Sequence, residues 1–135
     1  MARLATVLTV WRKDEDAVKI RLGDLERQRT GLEQRIAACA TARNGAAVPD
    51  LALREQYLAF CQRSRRDEDA LRRELAGVDQ KIAATRDDLA KAHRKVRSIE
   101  HLQSLDAAEA VRRQDRREQR QSDETAAARH LLKDT

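Results

Sequence analysis

The chain has 135 residues, 38% of them charged, with three aromatics (Trp11, Tyr57 and Phe60), one Pro and four Gly, which leaves too few aromatic and β-branched side chains for a sandwich or barrel. Its wealth of Ala, Glu, Asp, Lys, Leu, Arg and Gln points to long helices or coiled coil, with disorder as the competing outcome at this charge density. Of the net charge of +5, +4 lies in residues 91–122, where nine Lys/Arg stand among five Asp/Glu, so acids interrupt the basic excess throughout.

The first element begins at once. MARLATVLTVWRKDED has one positive residue before a short apolar stretch, which contains two Thr, lacks a small-residue cleavage site and runs straight into charges. It reads as the start of a helix over about 3–43 rather than as a signal peptide. No segment approaches the ~20 apolar residues that span a bilayer, so no direct membrane insertion is expected. Apolar residues then recur at alternating steps of four and three: Leu4, Leu8, Trp11, Val18, Leu22, Leu25, Leu32, Ile36 and Cys39, with Glu15, Arg29 and Arg43 at the remaining seam positions. Sustained 3–4 spacing is the coiled-coil pattern, and it decides against disorder.

The one punctuation mark is Asn44-Gly45-Ala46-Ala47-Val48-Pro49-Asp50. Asn-Gly ends a helix well because both residues tolerate left-handed backbone angles; Pro49 restarts the chain, and Asp50 can cap the next helix. The predicted turn is therefore 44–50.

A second helix is expected over about 50–132. Its seam is Tyr57, Cys61, Ser64, Glu68, Leu71, Leu75, Val78, Ile82, Thr85, Leu89, Ala92, Val96 and Ile99, again without a slip. A turn this short makes the two helices antiparallel neighbours. The expected architecture is a single all-α domain spanning 1–135, an antiparallel two-helix coiled coil whose C-terminal helix overhangs. Counting apolar layers favours a register with Leu25 opposite Leu75, Leu22 on Val78, Val18 on Ile82, Trp11 on Leu89, Leu4 on Val96, Glu15 on Thr85 and Cys39 on Cys61; the alternative, slid by one heptad, tightens the turn but sets Glu15 on Val78 and Leu25 on Glu68. At 1.5 Å per residue the helices would be ~60 and ~120 Å long, leaving about 35 residues of the second unaccompanied.

That remainder is unusual. Arg112 to Thr125, RRQDRREQRQSDET, has no hydrophobic side chain and no Gly or Pro. It suits a helix with no face to bury. Arg112, Arg113, Arg116, Arg117 and Arg120 form a run whose like-charge pairs at four-residue spacing weaken an isolated helix, while Arg112–Asp115 and Arg120–Glu124 offset part of that. The plain reading is a solvated face; the functional one is a contact with an acidic protein partner. Interleaved acids and the absence of stacking aromatics argue against nucleic acid.

Elsewhere, signals for chemistry are weak. Phe60 sits one position off the seam and is either seam cover or a contact anchor. Tyr57 and Trp11 read as core. Cys39 and Cys61 read as small seam fillers in a reduced, cytosolic setting. His93, His101 and His130 are too scattered for a metal site. No Gly-rich phosphate loop, nucleophile or paired carboxylate in a concave setting is present, so neither cofactor nor enzymatic activity is expected.

Several stretches, in order, resemble the FliJ family of flagellar export proteins, whose injectisome counterparts are SctO-type stalks. They are Arg3-Leu4-Ala5-Thr6-Val7-Leu8 with Val10, Arg12, Glu15 and Asp16; Tyr57-x-x-Phe60; Val96-x-x-Ile99-Glu100-x-Leu102; and Glu118-Gln119-Arg120-Gln121-Ser122-Asp123-Glu124-x-Ala126. Leu4 stands where that family usually has Phe. The resemblance implies a non-enzymatic hairpin similar to the γ-subunit stalk of rotary ATPases. It implies that Arg112, Arg113, Arg116, Arg117, Arg120, Asp123 and Glu124 meet the hexameric FliI-type export ATPase, and that Phe60 meets the FlhA-type export gate protein. The chain would be a monomer on its own, cytoplasmic and peripheral at the inner membrane through the export apparatus. The alternative is a generic structural coiled coil that self-associates through its tail.

Overall fold

The computed structural model describes residues 2–45 and 50–134. Helix α1 runs Ala2–Gly45 and helix α2 runs Arg54–Lys133, with a short 3-10 turn at Leu51–Leu53 before α2 and no strand among the described residues. The chain is an all-α helical hairpin. Neither helix contains a Pro, and Gly23, Gly31 and Gly77 lie within them without interrupting them; single glycines weaken a helix by ~1 kcal/mol against Ala without stopping it.

The ends of the connection differ from the sequence expectation. Asn44 and Gly45 are the last residues of α1, and no described residue has a positive φ, so the left-handed stop is not seen among them. Asp50 precedes the 3-10 turn, but its side chain makes no capping bond; its backbone carbonyl accepts from the Leu53 N–H at 2.9 Å. The expected role of Pro49, with the rest of residues 46–49, lies outside the described residues.

The helices pack as two compact units. In the unit Asp14–Ala92, Leu32, Leu71, Val78 and Ile82 form the buried cluster, with Leu22, Leu25, Ile36, Cys39 and Leu75 packed against it. Val18 is also buried and Leu89 half-buried. Each such aliphatic side chain contributes on the order of 1.5–3 kcal/mol by leaving water. Ion pairs across this unit run antiparallel: Glu26 with Arg86 (3.8 Å), Arg29 with Asp79 (2.9 Å) and Arg43 with Glu68 (2.6 Å).

Those pairs overturn the apolar-layer register. Arg43 lies against Ser64 and Glu68, and the Cys39 carbonyl accepts a 3.4 Å bond from the Ser64 hydroxyl, so Cys39 lies beside Ser64 rather than level with Cys61. Counted along the seams from these contacts, Leu25 faces Ile82, and Leu32 faces Leu75. The reason is polar. In this arrangement the seam arginine Arg43 meets the seam glutamate Glu68, whereas the expected register sets Glu68 on Leu32. Among the contacts of Glu15 and Thr85, expected to face each other, Glu15 pairs with Lys19 at 3.0 Å, and the Thr85 hydroxyl donates to the Lys81 carbonyl at 2.7 Å.

The other unit joins Met1–Lys13 to His93–Thr135. Leu8, Val96 and Ile99 are its buried cluster, flanked by Leu4, Val7 and Trp11. Arg12 pairs with Glu100 at 3.2 Å, and the Lys95 ammonium lies 5.9 Å from the Trp11 ring centroid. This places Trp11 beside Lys95 and Val96 rather than opposite Leu89. Gln103 and Asp106 are still half-buried; from Ala107 to Asp134 every described residue is exposed.

Candidate functional site

Two surfaces carry the sequence expectations, one in each unit. The first is the exposed C-terminal part of α2. Helical geometry is kept through Arg112–Thr125 by contacts along the helix itself, since no described residue packs on it. Arg113 donates to Glu109 (3.2 Å), Gln114 to Glu118 (3.3 Å), Gln119 to Asp123 (3.1 Å), and the Thr125 hydroxyl to the Gln121 carbonyl (2.8 Å). Each links residues four apart, the spacing that brings side chains together on a helix. Arg116 folds back to the Arg112 carbonyl at 3.4 Å, while Arg117 and Arg120 make no ion pair among the described residues. Arg112, Arg113, Arg116, Arg117, Arg120, Asp123 and Glu124 are all exposed on this one helix. Arg and acid side chains therefore stand out all round, a surface that can exchange hydrogen bonds and ion pairs without first uncovering an apolar core.

The second surface lies at the connection end of the unit Asp14–Ala92. Phe60, 38% exposed, lines a shallow groove of about 420 Å³ with Ala38, Cys39, Ala42, Arg63, Ser64 and Asp67. Its ring stands over small residues of α1 rather than in the buried seam. Leu51, Leu53 and Leu58 are exposed near it in sequence. Periodicity missed these leucines because they lie before or off the seam; their signal was a cluster of large apolar residues with no seam position to fill.

Between seam and groove lies a polar layer that the apolar count undervalued. Glu68 is buried yet holds both Arg43 (2.6 Å) and Arg72 (2.9 Å), while Arg43 also donates to the buried Ser64 hydroxyl at 3.4 Å. The hydrogen bonds from Arg72 and Arg43 draw the Glu68 carboxyl below the ordinary carboxylate range. Tyr57 is shifted upward, chiefly by its hydrogen bond with the Cys61 side chain.

Among the described residues no three His, Cys, Asp or Glu come together as a metal site, and no helix is long and apolar enough to cross a membrane. Two long helices with polar layers in an antiparallel seam, followed by an unaccompanied charged helix, define the class of coiled-coil hairpin proteins. No curated protein and no solved structure matches the chain. The family model described as Flagellar FliJ protein matches residues 1–134, and the chain belongs to that family. Its role is therefore in flagellar protein export, in a family of export components and not of enzymes.

Proposed function

We propose that this chain is the stalk of the flagellar export apparatus, set between a hexameric FliI-type ATPase and a FlhA-type gate protein. The single observation that supports this reading is the C-terminal part of α2. It keeps helical structure through Arg112–Thr125 with every side chain exposed and none of them apolar. A helix that only completed a core would show an apolar stripe. One that enters the polar lumen of a ring needs charge on all sides and no adhesive face. Arg112, Arg113, Arg116, Arg117 and Arg120 then meet acidic groups of the ring, Asp123 and Glu124 meet basic ones, and Phe60 with its groove meets the gate. Association with the inner membrane follows from these partners and needs no insertion.

The test is ATPase stimulation by purified chain. Replacing Arg113, Arg116, Arg117 and Arg120 together by Glu should abolish ring binding and stimulation. Gate binding, read separately, should fall with Phe60→Ala.

A second reading has its own observation. Leu131 and Leu132 are 68% and 75% exposed at the end of α2, as in a coil that self-associates through its tail. A concentration-dependent dimer by light scattering, lost in Leu131→Gln/Leu132→Gln, favours that reading; a monomer at all concentrations favours the stalk.

A further inference from the structure

In the unit Asp14–Ala92 the two seams are so regular that they fit in more than one way. In the observed register Leu25 faces Ile82, Leu32 faces Leu75 and Ile36 faces Leu71, as the clustered residues and the flanking ion pairs require. Displace α1 by one heptad toward the connection and apolar layers form again: Val18 on Ile82, Leu22 on Val78, Leu25 on Leu75 and Cys39 on Cys61. Such a displacement is ~10 Å along the helix. The eight residues between Gly45 and Arg54 leave room for it, since helix–helix connections of 2–8 residues are ordinary.

What separates the two arrangements is polar: the displaced one breaks the Arg29–Asp79 and Glu26–Arg86 pairs and sets Arg29 on Leu71, and it takes apart the polar layer inside the seam. In the observed one Arg43 meets Glu68 at 2.6 Å and the Ser64 hydroxyl at 3.4 Å. In the displaced one Glu68 would face Leu32, Ser64 would face Ile36, and Arg43 would move up to Tyr57. A single polar contact at a seam position is a known way for a coiled coil to choose between registers that its apolar residues accept equally.

We propose that this unit has a second, heptad-displaced register, and that the Arg43–Ser64–Glu68 layer is the latch that holds it in reserve. The displacement also dismantles the groove beside Phe60, because Ala38, Cys39 and Ala42 leave the level of Ser64 and Asp67, which together line it in the observed register. Access to Phe60 is thereby tied to the register of the helices beneath it. A sliding seam of this kind is two discrete packings of one sequence, the sort of bistable element through which a signal at one end of a helix pair can reach the other.

The test is disulfide trapping in the full chain, with Cys39→Ser and Cys61→Ser as background and the monomer scored on a non-reducing gel. A bridge needs Cα atoms about 4.4–6.8 Å apart, so residues a heptad out of level do not form one. The pair Leu32→Cys/Leu75→Cys reports the observed register and should oxidise fast. The pair Leu25→Cys/Leu75→Cys reports the displaced one and should oxidise slowly but completely. Adding Arg43→Gln, or separately Glu68→Leu, should speed the second pair about tenfold or more, as expected when a minor state gains population. A third pair, Leu22→Cys/Leu75→Cys, is level in neither register and should stay reduced.

If the Leu25→Cys/Leu75→Cys pair stays reduced in both latch variants while circular dichroism shows them helical, there is no second register. If it oxidises no faster than the third pair, local unfolding explains the bridge and the proposal is overturned. Loss of helicity in one latch variant leaves the other to decide. None of these readouts involves the ATPase or the gate, so the result stands apart from the stalk assignment.

Discussion

At Glu68 the protein keeps a carboxylate at a buried seam position because two guanidinium groups neutralise it, Arg43 from the facing helix and Arg72 from its own. Its carboxyl is drawn below the ordinary value of 4.5. A group whose folded pKa is depressed stabilises the fold above its unfolded pKa, and that contribution disappears as pH falls through the folded pKa. Melting temperature should therefore be flat with respect to Glu68 at neutral pH and fall below about pH 4.5. In Glu68→Gln the neutral-pH melting temperature should be lower and the acid limb shallower. A wild-type acid limb retained in the variant would assign the dependence to other carboxylates. Phe60 tests the opposite kind of position. Being partly exposed beside the seam, it should lose about 1 kcal/mol or less of stability on truncation to Ala. A large fall in thermal melting would place its ring in the core and remove it from the contact surface.

At the scale of the helices, alternating three- and four-residue spacing was enough to read both of them and the face each buries. Leu8, Val18, Leu71, Val78, Ile82 and Val96 are buried, and Leu4, Trp11, Leu22, Leu25, Leu75 and Leu89 are half-buried. Register was not legible by the same means. Apolar side chains are nearly interchangeable from layer to layer, so counting them cannot rank registers one heptad apart. The ranking came from charges the count treated as blemishes: Arg43 with Glu68 inside the seam, and Arg29 with Asp79 and Glu26 with Arg86 at its edges. Arg29 occupies a seam position but carries its guanidinium outward to Asp79 and Glu33, letting its stem cover the seam while the charge stays wet. The start of α2 was misread for a related reason. Asp50 has a good capping side chain, but the chain first makes a 3-10 turn in which its backbone carbonyl, not its side chain, accepts from the Leu53 N–H. Val78, 4% exposed, gives the direct check on the seam. Val78→Asp buries an unpaired charge and should cost ~3 kcal/mol or more, seen as a large drop in the urea midpoint. An unchanged midpoint would mean that the seam runs elsewhere.

For the molecule as a whole, the buried clusters and the proposed ATPase contact fall on different stretches of the same chain. The buried clusters involve residues up to Ile99, and from Ala107 onward every described residue is exposed. Exposed ion pairs are worth about 0–1 kcal/mol, so charge changes in Arg112–Thr125 should leave thermal melting almost untouched. They should act on binding instead. Any such contact weakens with salt, because exposed charges are screened over ~8 Å at physiological ionic strength. The sequence alone showed that this stretch had nothing to bury. It could not show what meets it, since a solvated helix and a helix awaiting an acidic lumen are written in the same residues. The measurement that separates them is stimulation of the export ATPase by the chain truncated after Leu105. The stalk account predicts that the truncated protein melts like the intact one and no longer stimulates. Stimulation equal to that of the intact chain would contradict the account and move the ATPase contact off the exposed helix.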